Sequence, residues 1–283
     1  MTRQAIASAL LLLAACGAPA VDRASPPGAA VPGTVSSDTG HIRSSPWPSA
    51  LGGFLAIANS VTGDALLFRR DTTAIPASVV VAGYDSTLGQ ATAGEVQPLP
   101  CAARARMRVV GAAPGWTFAL DGRRKAQARP MIIDVLEDLT AADSQRVARQ
   151  VKRALDTLPD TGGAAEFRGV PVVVRDAWLV LAPSDTIVVA RAARLLNLEA
   201  TAHEELRFVV LEGGQLRFVA RVAGDEGTLE SWDLLAALDV KGQPWLAVAR
   251  EGVKSLELEL LTRDGTTWRP AWRSDASICS VPK

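Results

Sequence analysis

Leu206-Arg207-Phe208-Val209 is echoed by Leu216-Arg217-Phe218-Val219 across Gly213-Gly214. This echo limits what the chain can fold into more than any other stretch. Two runs of similar texture on either side of a glycine pair are the signal of an antiparallel β-hairpin. Register is then tied to burial, because a slip of one residue exchanges the two faces of a strand. A two-residue turn sets Phe208 opposite Val219 and Leu206 opposite Arg221, which mixes the faces. A three-residue loop, Glu212-Gly213-Gly214 with Gly214 left-handed, sets Phe208 opposite Phe218 and Val210 opposite Leu216. The second keeps one apolar face and is the register expected. The end of the chain reads the same way. Leu256, Leu258 and Leu260 alternate with Glu257 and Glu259, while Trp268, Pro270 and Trp272 alternate with Arg269 and Arg273. A loop of Arg263-Asp264-Gly265 pairs Leu260 with Trp268, Leu256 with Trp272 and Glu259 with Arg269. Pro270 has no amide to donate, so its strand is expected at an edge.

Other short apolar runs are separated by turn residues. Phe54 to Ala58, Ala65 to Arg69 and Ser78 to Ala82 are divided by Asn59-Ser60, Gly63-Asp64 and Pro76. Arg106 to Val110 and Gly115 to Leu120 read as a pair around Ala113-Pro114-Gly115, and Pro130 to Leu136 as one more strand. Val170 to Val174 and Trp178 to Ala182 flank Arg175-Asp176, followed by Thr186 to Ala190 and later Trp245 to Ala249. Leu229 to Leu238 is ambiguous, since Leu234, Leu235 and Leu238 suit one face of a helical turn. A clear helix spans about 140–158. Thr140 is its cap, with Asp143 three residues on, and Val147, Val151, Leu155 and Leu158 fall on one face before Pro159. Arg146, Arg149, Lys152 and Arg153 cover the rest and read as a solvated surface. The expected class is α+β, predominantly antiparallel β, hairpin-rich, with at least one amphipathic helix.

Ahead of this body, residues 17–50 hold six prolines among many Ser, Gly and Ala. Such a composition cannot offset its ordering entropy by burial and reads as a tether, with a reach of roughly 30 Å or more. Before it come Arg3, an apolar run from Ala5 to Leu13, and Leu13-Ala14-Ala15-Cys16. A cation, a short apolar stretch and small residues are the layout of a secretory signal, and the run falls short of the ~20 residues a spanning helix needs. Leu13-Ala14-Ala15-Cys16 resembles the lipobox of bacterial lipoproteins. That resemblance implies cleavage before Cys16, acylation of its thiol with palmitate-type chains, and a membrane anchor in the cell envelope. Gly17, in place of an aspartate, is permissive for the outer membrane. The organisation expected is a signal peptide over 1–15, a lipidated cysteine and tether over 16–50, an N-terminal β region with the helix over 51–160, and a C-terminal β region over 161–283, the last two in one unit or two. With Cys16 acylated, two of the three cysteines remain in an oxidising compartment, and Cys101 is expected to pair with Cys279. A loop that long stabilises by roughly 5 kcal/mol in the chain-entropy model. The alternative is two unrelated buried thiols.

Lys plus Arg equals Asp plus Glu at 30 each, a balance that argues against nucleic acid as partner. Asp38-Thr39-Gly40 and Asp160-Thr161-Gly162 match an aspartic-protease triplet, but the first lies in the tether and the second follows a helix stop, so both read as turns. His41 lies in the tether. His203 opens His203-Glu204-Glu205 without the second histidine of a zinc helix and reads as a loop residue. Asp134, Glu137 and Asp138 read as a solvated acidic turn rather than a cation site. Around Asp239 and Gly242 the chain is faintly similar to a calcium-binding propeller repeat but lacks its other carboxylates. Trp268 and Trp272 read as core rather than as an exposed strip. No residue is assigned to catalysis, a cofactor or a metal. The expected function is a non-enzymatic, lipid-anchored envelope module. Its partners are the membrane, through the anchor, and an envelope protein or small ligand. The alternative is an exported hydrolase whose acids converge only in three dimensions.

Overall fold

The computed structural model describes residues 47–51, 54–58, 65–69, 78–84, 89–98, 104–112, 114–124, 128–160, 162–183, 185–197, 202–252 and 256–274. Cys16, Cys101, Cys279, Asp38 and His41 lie outside them. Among these residues the chain is mostly antiparallel strands with one α-helix. Six strands close a barrel: β1 (Phe54–Ala58), β2 (Ala65–Arg69), β3 (Ser78–Ala82), β4 (Gly89–Pro98), β5 (Arg104–Val110) and β6 (Phe118–Asp121), in the ring order β1-β2-β5-β4-β3-β6. Its interior is narrow and is filled by small residues, Ala56, Ala65, Ala91, Ala105 and Ala119, interleaved with Leu67, Val79, Val81 and Met107.

Two five-stranded sheets follow. The outer sheet has the order β12-β11-β10-β9-β8, from β8 (Ile132–Val135), β9 (Val173–Leu181), β10 (Thr186–Asn197), β11 (Ala202–Glu212) and β12 (Gln215–Asp225). The central sheet has the order β16-β15-β14-β13-β7, from β7 (Ala128–Pro130), β13 (Ser231–Val240), β14 (Gln243–Glu251), β15 (Leu256–Asp264) and β16 (Thr267–Arg273). The chain passes from one sheet to the other at Met131. Strand β8 pairs with β9 across the helix that separates them in sequence.

The central sheet is buried on both faces. Trp232, Leu234, Leu246, Val248, Leu261 and Trp268 pack against Trp178, Val189, Phe208 and Val210 of the outer sheet. On the other face, Leu238, Val240, Trp245, Leu258 and Leu260 meet Leu55, Ile57, Phe68, Phe118 and Leu120 on the barrel wall. The barrel also occupies part of the edge of β13: the Tyr84 hydroxyl donates to the Leu234 carbonyl at 2.6 Å, and the Thr117 hydroxyl donates to that of Leu235. The outer face of the outer sheet is covered by α1 (Ala141–Asp156), whose Val147, Val151, Ala154 and Leu155 pack on Ala177, Val188, Ala190 and Val209. The Thr140 hydroxyl oxygen accepts from the Asp143 amide at 3.2 Å, satisfying one of the amides a helix start leaves open. The helix ends before Pro159, which cannot continue it.

Both registers argued from sequence are corrected, for one reason. The turn after β11 is the two-residue Gly213-Gly214, with φ of 55° and 77°, so Glu212 faces Gln215 and Leu211 faces Leu216. A bulge then inserts Arg217, so that Val210 faces Phe218 and Phe208 faces Ala220. The bulge restores the apolar face that a two-residue turn alone would have mixed. In the last hairpin Asp264 faces Thr267, and a bulge at Ala271 sets Leu260 opposite Trp272 and Glu259 opposite Arg273. Trp268 and Trp272 therefore lie on opposite faces of the central sheet, not on one. Pro270 does sit on an edge strand, β16.

Four other readings change. The segments 106–110 and 115–120 are not partners: β5 pairs with β2 and β4, and β6 with β1 and β3. Arg175-Asp176 is no turn, because β9 continues through it, with an irregularity in its pairing to β10 at Arg175. Residues 231–240 form β13, and their run of leucines reflects burial on both faces. His203 lies on β11, opposite Asp225. Strand β4 had no signal in the sequence, since its Gly, Thr and Gln conceal the inward Ala91 and Ala93.

The split of the tryptophans has a measurable consequence. Trp268 is 2 % exposed between the sheets, while Trp272 is half-buried against Trp47, ring centroids 4.8 Å apart. Trp268→Ala is expected to lower unfolding stability by about 3–5 kcal/mol in urea titration, and Trp272→Ala by clearly less. Equal losses would contradict the bulge at Ala271.

Candidate functional site

The densest chemistry lies on the outer face of the outer sheet, beyond the end of α1. Alternation along β11 places His203, Glu205, Arg207, Val209 and Leu211 on that face. Val209 and Leu211 pack under the helix. Glu205, Arg207 and their neighbour Arg194 on β10 are buried, at 0 %, 1 % and 3 % exposure. Arg207 lies directly opposite Arg221 on β12, a pairing of like charges that is unfavourable without a shared anion. Glu205 supplies it. Its Oε2 meets Arg194 Nε at 2.5 Å and Arg207 Nη2 at 3.0 Å, and its Oε1 meets Arg221 Nε at 3.1 Å.

Asp160, just beyond the helix, adds a second carboxylate, 2.8 Å from Arg194 Nη2 and 3.5 Å from Arg207 Nη2. The hydrogen bond from Arg194 holds the Asp160 carboxyl below its ordinary range. Three guanidiniums thus share two carboxylates. Arg207 also donates to the Leu155 carbonyl at 3.5 Å and Arg221 to that of Pro159 at 3.4 Å, both around the helix C-terminus. Carbonyls at a helix C-terminus carry partial negative charge and favour cations. Arg194 donates to the Phe167 carbonyl at 2.9 Å and lies over its ring at 5.6 Å. Beside the cluster, His203 bridges Glu166 at 3.4 Å and Asp225 at 3.1 Å.

A second cluster lies between the sheets. Arg250 pairs with Glu230, meets Glu257 at 3.4 Å and Glu259 at 4.0 Å, and lies 5.8 Å from the Trp232 ring centroid. Arg273 holds Glu259 at 2.9 Å. Burial pushes the Glu257 carboxyl above its ordinary range, while Arg250 opposes the shift. A third feature, an open groove of about 180 Å³ on the barrel, is lined by Glu95, Gln97, Arg106 and Arg108.

General acid–base chemistry needs a carboxyl or imidazole within reach of a substrate proton. Glu205 has no exposed surface and arginines on both oxygens, so its role is to hold strands and helix together. Of the residues weighed from sequence, only Asp160 enters the cluster. Asp134 is half-buried, and Glu137 and Asp138 are exposed in a 3-10 turn. Among the described residues, no three His, Cys, Asp or Glu side chains gather as metal ligands. Asp239 accepts from the Gly242 amide at 2.7 Å and closes the turn between β13 and β14. Arg194, Glu205, Arg207 and Arg221 were missed. Their one signal was the presence of charges within strands otherwise apolar on both faces. No protein-family model matches this chain, and neither a characterised protein nor a solved structure is detectably similar to it.

Removing one member of a buried ionic group leaves its partners uncompensated, at about 3–5 kcal/mol. Glu205→Ala is expected to lower stability by that amount in urea titration. A loss below about 1 kcal/mol would show that the arginines do not depend on Glu205.

Proposed function

We propose that the protein is a lipid-anchored component of the bacterial cell envelope whose β body is a non-enzymatic binding or structural module. The observation that carries this reading is Leu13-Ala14-Ala15-Cys16, placed after one cation and an apolar run and before a proline-rich stretch. On this reading residues 1–15 are removed, Cys16 carries acyl chains, and residues 17–50 hold the body off the bilayer. Several acyl chains make attachment effectively permanent, whereas one chain binds only reversibly. Gly17 favours the outer membrane over the inner. Cys101 and Cys279 pair in a disulfide, and the helix, apolar along one side, serves to cover the outer sheet.

The non-enzymatic part of the reading is supported by the fate of the buried acids. Glu205, Glu257 and Glu259 each meet arginines, which fits structural ion pairs better than a reacting centre. The partner chemistry that fits such a body is an envelope protein or a small ligand met at its surface.

Metabolic labelling with palmitate and membrane fractionation test the reading. The parent chain is expected to take up label and to sediment with membranes, and Cys16→Ser to lose the label and its firm membrane attachment. An unlabelled parent chain, or a Cys16→Ser variant still labelled and still firmly membrane-bound, overturns it.

A further inference from the structure

Among the described residues, Glu230, Glu257 and Glu259 share two guanidiniums between the sheets, those of Arg250 and Arg273. Leu258 and Leu260 of β15 pack on the barrel side, so alternation directs Glu257 and Glu259 the other way, toward the outer sheet. Both are buried, at 6 % and 4 % exposure. Glu259 lies opposite Arg273 on β16 and is held by it at 2.9 Å. Glu257 lies opposite Arg250 on β14, but that guanidinium is engaged elsewhere. Its Nη2 pairs with Glu230, and it lies 5.8 Å from the Trp232 ring centroid. Only a 3.4 Å contact from Nη1 reaches Glu257. Arg250 Nε, buried without a hydrogen bond, stands 4.0 Å from Glu259. Three carboxylates against two guanidiniums leave one acid without a cation of its own.

A buried carboxyl in that position costs less neutral than charged. Glu257 is the group. Burial raises its hold on a proton; Arg250 and Arg273 oppose the rise, and the charges of Glu230 and Glu259 add to it. On the facing side of the outer sheet, the charged side chains are Arg191, bound to Asp176 and Asp233, and Glu204, bound to Arg175. Neither supplies the missing cation.

We propose that Glu257 is a proton-operated latch on residues 226–230, the turn that carries the chain from the outer sheet to the central one. With the proton bound, Arg250 belongs to Glu230 and holds the turn shut. With the proton lost to solvent, the Glu257 carboxylate draws Arg250 across its strand pair and the turn is released. The turn's other polar ties are few. The Thr228 amide and hydroxyl both donate to the Asp225 carbonyl, at 3.1 and 2.7 Å, and the Glu226 amide donates to that of Ala202 at 2.8 Å. Leu229 packs on the inter-sheet core, so a released turn uncovers that end of it. A carboxyl that holds its proton more firmly folded than unfolded contributes stability on the acid side and loses it as pH rises through its folded range. Asp143 and Asp160, both held below the ordinary carboxylate range, act in the opposite sense and only at lower pH.

Hydrogen exchange of the full chain between about pH 5 and about pH 8, corrected for intrinsic rates, tests the latch. Amides 226–230 of the parent chain are expected to lose about tenfold in protection as pH rises, while core amides of β14 and β15 keep theirs. Glu257→Gln, a neutral side chain of the same shape, is expected to keep the turn protected at both values. Glu230→Gln is expected to leave it unprotected at both. His203 is common to all three chains, so the difference reports on Glu257. Carboxyl carbon-13 resonances read the Glu257 proton directly, and with the Glu230→Gln chain they carry the test if Glu257→Gln misfolds. Turn protection that does not change with pH in the parent chain overturns the proposal. So does a pH dependence that survives Glu257→Gln, or a Glu257 carboxyl already ionised at about pH 5.

Discussion

The central sheet has apolar side chains on both faces, and the rest of the structure follows from burying both. One face needs the outer sheet and the other needs the barrel wall, so neither neighbour can be taken away without exposing a row of leucines, valines and tryptophans. Burial of apolar area contributes about 25 cal/mol per Å² removed from water, which makes these two interfaces the dominant stabilising contacts of the body. Charges placed on such a sheet must find partners. Glu257, Glu259, Arg250 and Arg273 find each other at one end of the inter-sheet layer. The outer sheet repeats the solution on its far face, where Glu205 and Asp160 gather three arginines at the end of the helix.

This constraint also explains what sequence reasoning could and could not see. The helix was legible because Val147, Val151 and Leu155 repeat at helical spacing between a threonine cap and a proline stop. The strands at 54–58, 65–69 and 78–82 were legible because turn residues separate them. Strand β13 was not, because a strand covered on both sides loses the alternation that distinguishes it from a helix. Both hairpin registers failed at single inserted residues, Arg217 and Ala271. A bulge leaves no compositional mark, yet it changes every face assignment beyond it. The barrel order was beyond reach for another reason: β6 follows β5 in sequence but pairs with β1 and β3, and β5 pairs with β2 as well as β4, and pattern alone does not fix such long-range partners.

The chemistry was partly legible. Asp160 was noticed as part of a triplet, but its partner Arg194 comes from a distant strand, and only the fold brings them to 2.8 Å. The alternation in Arg104-Ala105-Arg106-Met107-Arg108 is plain in the sequence. Its meaning depends on β5 lying on the barrel wall opposite the central sheet. Within the functional reading, the buried charges stabilise the sheets by meeting one another.

Native-state hydrogen exchange across increasing denaturant tests the shared burial of the central sheet most directly. The account predicts that core amides of the barrel strands β1 and β6, the central strands β14 and β15, and the outer strands β10 and β11 open with one common free energy, that of global unfolding. Barrel amides that exchange through a separate opening, several kcal/mol below the global value and with the central sheet still protected, would contradict it.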